Sequence, residues 1–278
     1  MTGDYGLSLD RSRASTARVY NFLLGGKDNY EADRKVGWAI TESAPDAPAV
    51  ARANLRFAGR AASWAVATFG ITQAVDIGVG SSQGVPIPSV ESCIKDADPN
   101  AMVLAFDPDE VVLAHARAFR PGYGGVLNGD VTDLETIFGH PDAVELIDMS
   151  RPMVVILAAV LHFIDDPAAV MTGLRDRLAP GSVIVLSHAT RTRTSEARVG
   201  GMTKAYASAS SPIIFREEEA IAALADGWDL LPPGLVDVQL WSPDGSYQEE
   251  LYESVRVVGM VVRLPGLPEE LHHAGGAR

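Results

Sequence analysis

The sequence predicts an α/β fold with a mostly parallel central sheet, helices on both faces of the sheet and a helical N-terminal extension. Of the 278 residues, 47% are hydrophobic and 21% are charged, which is ordinary for a globular protein with a sizeable core. Up to residue 70 the apolar positions recur at helical spacing, whereas beyond it short apolar runs alternate with helical stretches. We therefore expect a helical extension or lid over residues 1–70, a core domain over residues 71–264 and a flexible tail over residues 265–278.

The N-terminal extension is predicted to contain three helices. Residues 15–40 show helical spacing in two pieces, and the Gly25-Gly26 pair between them favours a turn. A longer helix is expected over residues 48–69, because this stretch begins with a proline and is rich in alanine. Gly70 follows it and is suited to a C-terminal cap.

Short apolar runs predict the strands of the sheet, because the strands of a parallel sheet are buried on both faces. Strands are expected over residues 74–77, 102–106, 153–160 and 182–186, with a weaker candidate over residues 125–127. Helices are expected to connect them over residues 89–97, 110–119 and 168–178, and Asp166 would cap the last one. Farther on, the pattern predicts a helix over residues 217–225 and strands over residues 235–240 and 255–263.

The charge balance argues against a nucleic-acid partner. The formal net charge is −13, so a phosphate backbone would be repelled unless a basic face were segregated from the rest of the surface. The densest basic group contains Arg191, Arg193 and Arg198, and we expect it to lie in a solvated loop.

Neither export, nor a membrane span, nor a metal is indicated. Cys93 is the only cysteine, so an intrachain disulfide and a cysteine-based zinc cluster are impossible. Residues 1–18 lack an apolar signal core, and no apolar run long enough to span a bilayer follows. The pair His272-His273 lies in the expected tail and is interpreted as incidental. We therefore expect a cytoplasmic protein without a membrane partner and without a metal site.

A glycine-rich turn follows the first predicted strand. Gly78 and Gly80 stand two and four residues after Asp76, and glycines allow a ligand to approach the backbone closely. A tight turn without a ligand would show the same pattern. Further acids follow the second and third strands, at Asp107 and Asp130. Each could merely cap a helix, but together they point to the carboxyl edge of the sheet and favour a site for a nucleoside.

The order of these residues resembles that of class I S-adenosylmethionine-dependent methyltransferases, which have a Rossmann-like fold. More narrowly, residues 19–30, 51–54, 111–117 and 159–163 resemble a bacterial S-adenosyl methyltransferase family long catalogued as a domain of unknown function. The similarity covers residues 15–263, and the motif over residues 19–30 is its most specific part. The resemblance implies S-adenosylmethionine as cofactor and direct methyl displacement onto an unidentified small-molecule acceptor.

The resemblance also implies which residues hold the cofactor. They lie at or just after the carboxyl ends of the first four strands and are Asp76, Gly78, Gly80, Asp107, Pro108, Gly129, Asp130, Val131 and Ala159. Asp76 and the two glycines of the turn would surround the methionine portion, Asp107 would bind the ribose, and Asp130 with Val131 would lie beside the adenine.

His162 is the expected catalytic residue. Methyl transfer from a sulfonium needs alignment and exclusion of water, and it needs a base only if the acceptor must lose a proton. His162 follows the fourth strand, and an unperturbed pKa near about 6.5 suits a histidine to that task. A histidine that only hydrogen-bonds the backbone or lines the pocket is an equal alternative. His188, after the fifth strand, is a weaker candidate.

The segment from Tyr20 to Tyr30 is expected to close over the cofactor as a lid. The glycine pair supplies a bend, and the side chains around it could complete the substrate pocket; they are Tyr20, Asn21, Lys27, Asp28, Asn29 and Tyr30. Of these, Tyr20, Lys27, Asn29 and Tyr30 are the expected site residues. The alternative is a helix–turn–helix brace with a solvated polar turn.

Two other functions stay open. The glycines and Asp107 could hold the dinucleotide of an NAD(P)-dependent oxidoreductase. Against this, an acid two residues before the first glycine is typical of methyltransferases, and the spacing Gly78-x-Gly80-x-x-x-Gly84 departs from Gly-x-Gly-x-x-Gly. A regulatory module that binds S-adenosylmethionine without turnover is the second alternative, because a fold does not establish catalysis.

Overall fold

The computed structural model describes residues 11–81, 84–119 and 126–266 and contains an eight-stranded mixed sheet. The strands are β1 (Gln73–Ile77), β2 (Met102–Asp107), β3 (Val126–Asn128), β4 (Val154–Leu157), β5 (Val183–Thr190), β6 (Asp229–Leu230), β7 (Val236–Asp237) and β8 (Arg256–Arg263). Their order is β3-β2-β1-β4-β5-β8-β6, and β7 pairs with β8 outside this path. Strands β1 to β5 are parallel and β8 runs antiparallel to β5, so the predicted mostly parallel sheet is confirmed.

Helices cover both faces of this sheet. They are α1 (Thr16–Leu24), α2 (Glu31–Ser43), α3 (Ala47–Phe69), α4 (Val90–Ala97), α5 (Glu110–Phe119), α6 (Leu134–Phe138), α7 (Pro141–Leu146), α8 (Pro167–Arg177), α9 (Glu196–Tyr206) and α10 (Glu218–Ala222). One apolar core joins the sheet to α6, α7 and α8, and a second joins the opposite face to α3 and α4. A third cluster joins α1, α2 and α9 near the carboxyl edge of the sheet.

The N-terminal helices form as predicted. Gly25 follows α1 with a φ of 85°, and Gly70 follows α3 with a φ of 63°, so both supply the left-handed residue that ends a helix. Helix α3 packs directly on the sheet, where Phe57 faces Gly259 of β8 so closely that a Cβ there would lie 2.6 Å from its ring. Helices α1 and α2 lie farther out and reach the sheet through the third cluster.

Several boundaries differ from the predictions. Strand β4 ends at Leu157 rather than at residue 160, because Ala159 takes a left-handed φ of 59° that no strand can include. Strand β5 continues to Thr190, and the strand predicted over residues 235–240 is reduced to β7. Helix α9 was not predicted. Asp166 caps α8 as expected, accepting a hydrogen bond from the N–H of Ala169.

Some expectations fall on residues outside the described ranges. These are the first residue of the strand candidate over 125–127, and all but two residues of the tail over 265–278, including His272-His273. Within the described ranges, no helix is both long enough and apolar enough to cross a membrane.

Candidate active site

A cavity of about 560 Å³ opens at the carboxyl ends of β1, β2 and β4 and is bordered by α1, α3 and α9. It brings together most of the predicted site residues, namely Asp76, Gly78, Gly80, Asp107, Pro108, Asp130, Val131, Ala159, His162 and Tyr20. Four predicted residues are not part of the described lining, namely Gly129, Lys27, Asn29 and Tyr30. The arrangement follows from the topology, since the carboxyl ends of neighbouring parallel strands meet at one edge.

The turn after β1 depends on its glycines. The N–H of Gly78 donates to the carbonyl of Phe106 at 2.7 Å and holds the turn against β2. Gly78 has a φ of 75°, and a Cβ there would lie 2.6 Å from Val160. Gly80 has a φ of 62° but faces open space. The first glycine is therefore required by packing and conformation, and the second by conformation alone, which leaves room for a ligand beside it.

The carboxylate of Asp107 is fixed by two backbone donors. Its Oδ2 accepts from the N–H of Gly80 and its Oδ1 from the N–H of Asp109, both at 2.8 Å. Burial raises the pKa of Asp107 to about 6, although these two hydrogen bonds act in the opposite direction. Because each carboxylate oxygen has two lone pairs, one on each oxygen remains for a ligand. The side chain is thus oriented to accept from a pair of hydroxyl groups.

Asp76 lies beside this carboxylate and is also buried. Burial is the main cause that raises the pKa of Asp76 to about 7, and the negative charges of Asp107 and Glu91 add to it. The cavity therefore holds two carboxyl groups whose ionised forms are disfavoured without a ligand. Such an arrangement favours a ligand that supplies positive charge or hydrogen-bond donors.

We expect Asp76→Asn to stabilise the ligand-free protein at pH 8. In the folded protein the pKa of Asp76 is about 7, above its unfolded value of 3.8. The protonated carboxyl therefore contributes stability that is complete below pH 3.8 and is lost as the pH rises through about 7. The neutral amide avoids that loss, which is on the order of 4 kcal/mol for a pKa difference of about three. Thermal unfolding should show a raised Tm at pH 8 and nearly none of this gain at pH 4. A lower Tm at pH 8, with Asp176→Asn unchanged as a surface control, would contradict the assignment.

The loop after β3 contains the predicted adenine-side residues. Asp130 is exposed at the cavity, and its Oδ1 accepts from the N–H and the hydroxyl of Thr132 at 2.8 and 2.7 Å. Val131 is buried in the adjoining core. Gly129 faces the core rather than the cavity, because a Cβ there would lie 2.8 Å from Phe106. The absence of a side chain at Gly129 is thus required by packing, and its contact with a ligand stays a prediction.

The turn after β4 carries backbone strain at the cavity wall. Ala159 has a φ of 59°, which is unfavourable for a residue with a Cβ. Its N–H donates to the Ser187 hydroxyl at 2.9 Å, and this bond helps to hold the conformation. Ala159 therefore presents its backbone to the cavity in a fixed orientation.

His162 lines the cavity, but its expected pKa is wrong. Burial lowers the pKa of His162 well below its usual range, and the neighbouring His188 and Arg216 lower it further. Its Nδ1 accepts from the N–H of Ala189 at 3.3 Å, so the proton of the neutral ring is assigned to Nε2. An imidazole in this state is a weak base and a hydrogen-bond donor. The geometry therefore favours a role in orienting a ligand.

Arg216 holds the segment that carries His162, a role that the sequence analysis did not assign. Its guanidinium donates to the carbonyls of Leu161, Ile164 and Asp165 at 3.3, 2.7 and 3.0 Å. It also donates to Nε2 of His188 at 2.9 Å, while Nδ1 of His188 faces the carbonyl of Ala189 at 2.8 Å. Both nitrogens of His188 are thus occupied, and its pKa falls to about 4, chiefly through burial. These contacts indicate that His188 has a structural role beside His162.

The predicted lid segment lies over the glycine turn. Asn21 donates to the carbonyl of Ser81 at 2.9 Å, and the Ser81 hydroxyl lies 2.5 Å from Asp28. Asn29 donates to Asn21 at 2.8 Å and to the carbonyl of Gly26, so it orients the Asn21 side chain that contacts Ser81. The covering contacts are thus made by Asn21 and Asp28, two of the polar residues of the predicted lid segment.

Tyr30 and Arg18 belong to a buried ionic cluster that positions α1. Asp33 accepts from the N–H of Ser15, the N–H of Tyr30 and Nε of Arg18 at 2.9, 2.7 and 2.9 Å. Arg18 also reaches Asp109, two residues after Asp107, at 3.2 Å. Tyr30 therefore has a structural position, and Arg18, which lines the cavity, joins the N-terminal helices to the loop after β2.

Comparisons with known proteins agree on one family. A sequence profile described as S-adenosyl methyltransferase matches residues 4–265. A solved methyltransferase candidate from Thermobifida fusca YX is 29% identical, with a TM-score of 0.84, over 95% of this chain and 100% of its own. A DUF574 family protein from Streptomyces avermitilis MA-4680 is 28% identical, also with a TM-score of 0.84, over 92% and 100%.

A more distant structure shows the fold alone. A plantazolicin methyltransferase, solved with a triazolic desmethylPZN analogue and SAH, is 11% identical with a TM-score of 0.52 over 89% of this chain and 95% of its own. No curated protein matches the chain. The predicted Rossmann-like class I methyltransferase fold is confirmed, and the oxidoreductase alternative finds no support. The match over nearly the whole length shows that the chain belongs to the S-adenosyl methyltransferase family.

Proposed function

We propose that this methyltransferase binds S-adenosylmethionine at the carboxyl edge of its sheet and transfers the methyl group to a small-molecule acceptor. The observation that carries the proposal is a single cavity that joins the carboxylates of Asp76 and Asp107 to a second, apolar part beneath α1 and α3. The carboxylates fit a cationic ligand with a ribose diol, and the apolar part offers room for an acceptor. Relatives of this fold crystallised with SAH support the same cofactor.

The hydrogen-bonding groups and the open glycine turn of the cavity suit the chemistry of the cofactor. The free lone pairs of Asp107 would accept from the ribose hydroxyls, and the open face of Gly80 would admit the backbone of the methionine portion. Asp130 and Val131 would border the adenine. When bound, the cofactor supplies an electrophilic methyl group on a sulfonium.

The protein's own contribution is alignment and exclusion of water. Direct displacement requires the acceptor atom, the methyl carbon and the sulfur to be in line, which a closed and rigid cavity favours. Ala159 and His162 form the wall after β4, and Nε2–H of His162 is available to orient the acceptor. Tyr20 and the segment through Asp28 would form the cover.

A nucleic-acid acceptor is disfavoured by the surroundings of the densest basic group. Arg191 lies 2.7 Å from Glu196, Arg193 lies 3.5 Å from Glu218, and Arg198 donates to the carbonyl of Glu253. The charges of Arg191 and Arg193 are therefore compensated by neighbouring glutamates, which leaves this group with little charge for a phosphate backbone.

Calorimetric titration separates the proposed cofactor from the dinucleotide alternative. We expect S-adenosylhomocysteine to bind with an enthalpy signal that saturates at one equivalent, and NAD to give none. Binding of NAD alone would contradict the proposal.

Turnover separates an enzyme from a binding module. The protein with S-adenosylmethionine and a fractionated metabolite library should form S-adenosylhomocysteine in at least one fraction. Tight binding without turnover in any fraction, including fractions from related bacteria, would favour the regulatory alternative.

A further inference from the structure

The apolar part of the cavity has the composition of a binding site for an uncharged molecule. We name it the acceptor chamber, and its walls come from residues 20–58, 163–164, 202–215 and 255–257. Apolar side chains such as Leu23, Val50, Phe163, Met202 and Phe215 dominate these walls. None of the described lining residues in these four ranges is charged. The charged residues of the cavity lining, among them Arg18 of α1, lie outside these four ranges, and Arg18 is already paired with Asp33 and Asp109. A charged acceptor held against these walls would therefore lose its hydration without gaining a counter-charge.

Five polar residues interrupt this apolar wall, namely Tyr20, Asn54, Tyr206, Ser210 and Ser211, and the first three of them form one group. The Tyr20 hydroxyl donates to the carbonyl of Ala51 at 3.0 Å and accepts from Nδ2 of Asn54 at 2.9 Å. Tyr206 lies near them, since the Tyr20 phenol adds to the burial that raises the pKa of Tyr206. Both phenols therefore stay neutral and can act only as hydrogen-bonding groups.

Two polar atoms of this group lack partners in the described part of the chain. Asn54 is only 2% exposed, yet its Oδ1 has no hydrogen-bond partner. Tyr206 is 6% exposed and lines the chamber, and its hydroxyl makes no hydrogen bond to the described residues, whereas its ring packs on Phe163. A buried polar atom without a partner is destabilising, so the retention of Asn54 Oδ1 points to a ligand that satisfies it. The unbonded Tyr206 hydroxyl offers a second hydrogen-bonding group in the same cavity lining.

Building on the proposed function, we infer that the methyl acceptor is an uncharged, chiefly apolar molecule anchored in the acceptor chamber by a hydroxyl or N–H group that hydrogen-bonds the Tyr206 hydroxyl. Tyr20 and Asn54 support that anchor from the same wall. The apolar body contacts the side chains of α1, α3 and α9, and the anchor fixes which atom faces the cofactor. A small number of polar groups in an apolar pocket commonly sets orientation in this way.

Three naphthalene probes test the inference on protein saturated with S-adenosylhomocysteine. The probes share one ring system. 2-Naphthol carries a hydroxyl that can donate a hydrogen bond, 2-methylnaphthalene an apolar methyl group, and 2-naphthoate a negatively charged carboxylate. Binding is measured by ligand-observed NMR competition. We expect 2-naphthol to bind best, 2-methylnaphthalene to bind roughly fivefold to tenfold more weakly, and 2-naphthoate not to bind.

The variant Tyr206→Phe removes only the hydroxyl, which has no partner in the described chain to lose. The variant should lower the affinity for 2-naphthol by roughly fivefold to tenfold and leave the affinity for 2-methylnaphthalene within about twofold of wild type. Tyr252→Phe, a tyrosine outside the described lining, should change neither affinity. Equal weakening of both probes, an unchanged preference for 2-naphthol, tighter binding of 2-naphthoate, or no binding of any probe would overturn the inference. Loss of S-adenosylhomocysteine binding itself would instead count against the proposed function.

Discussion

Asp107→Ala should weaken S-adenosylhomocysteine binding by about 100-fold or more while the sheet stays folded. The carboxylate is oriented by Gly80 and Asp109 so that both oxygens can each accept one further hydrogen bond. Two ribose hydroxyls bonded to a charged acceptor would contribute on the order of 1.5–3 kcal/mol each, and a total of about 3 kcal/mol corresponds to that factor. Isothermal calorimetry at pH 8, where Asp107 is ionised, measures the loss directly.

Two variants make this result specific. Asp107→Asn keeps the shape of the side chain and one acceptor oxygen, so its affinity for S-adenosylhomocysteine should lie between those of wild type and Asp107→Ala. Asp176→Ala removes an exposed acid on α8, away from the described cavity lining, and should bind as wild type does. If Asp107→Ala binds S-adenosylhomocysteine within about twofold of wild type, the ribose assignment is wrong.

The sheet could be predicted because its signals are local. Strands β1 and β2 are nearly continuous apolar runs buried on both faces, and the helix breaks at Gly25 and Gly70 need a conformation that glycine favours. Helix α9 could not be predicted in this way, because Gly200 and Gly201 lower its intrinsic helix propensity. Its stability comes from tertiary packing. A Cβ at Gly201 would lie 2.4 Å from Ser43 of α2, so the glycine permits the two helices to approach.

The gathering of three acids at one edge of the sheet could be predicted for a related reason. Asp76, Asp107 and Asp130 lie at or just after the carboxyl ends of neighbouring parallel strands, and topology alone places such residues at one edge. Contacts between distant segments carry no such signal. Arg18 and Asp109 are 91 residues apart, and nothing in the local sequence of either indicates the pair. The state of His162 likewise depends on a backbone donor from β5, which residue type and spacing do not reveal.

The largest expected effect on stability follows from Asp33→Ala. Asp33 is fully buried and accepts three hydrogen bonds, from Ser15, Tyr30 and Arg18. Its removal leaves two backbone N–H groups without their acceptor and leaves the buried Arg18 charge with Asp109 alone. Breaking a buried ion pair from one side typically costs about 3–5 kcal/mol. We expect a loss of this size in the free energy that docks α1 and α2, measured by urea unfolding.

Limited proteolysis distinguishes loss of docking from global unfolding, because local opening exposes residues 11–43 while the sheet stays protected. Glu31→Ala is the matched control, since it breaks an ion pair with Lys35 on the same helix but at an exposed position. That variant should show no measurable change, because exposed pairs contribute little. Adding Arg18→Met to Asp33→Ala should recover part of the lost stability by removing the uncompensated charge. If Asp33→Ala behaved as Glu31→Ala does, the buried cluster would not be what holds α1 over the cavity.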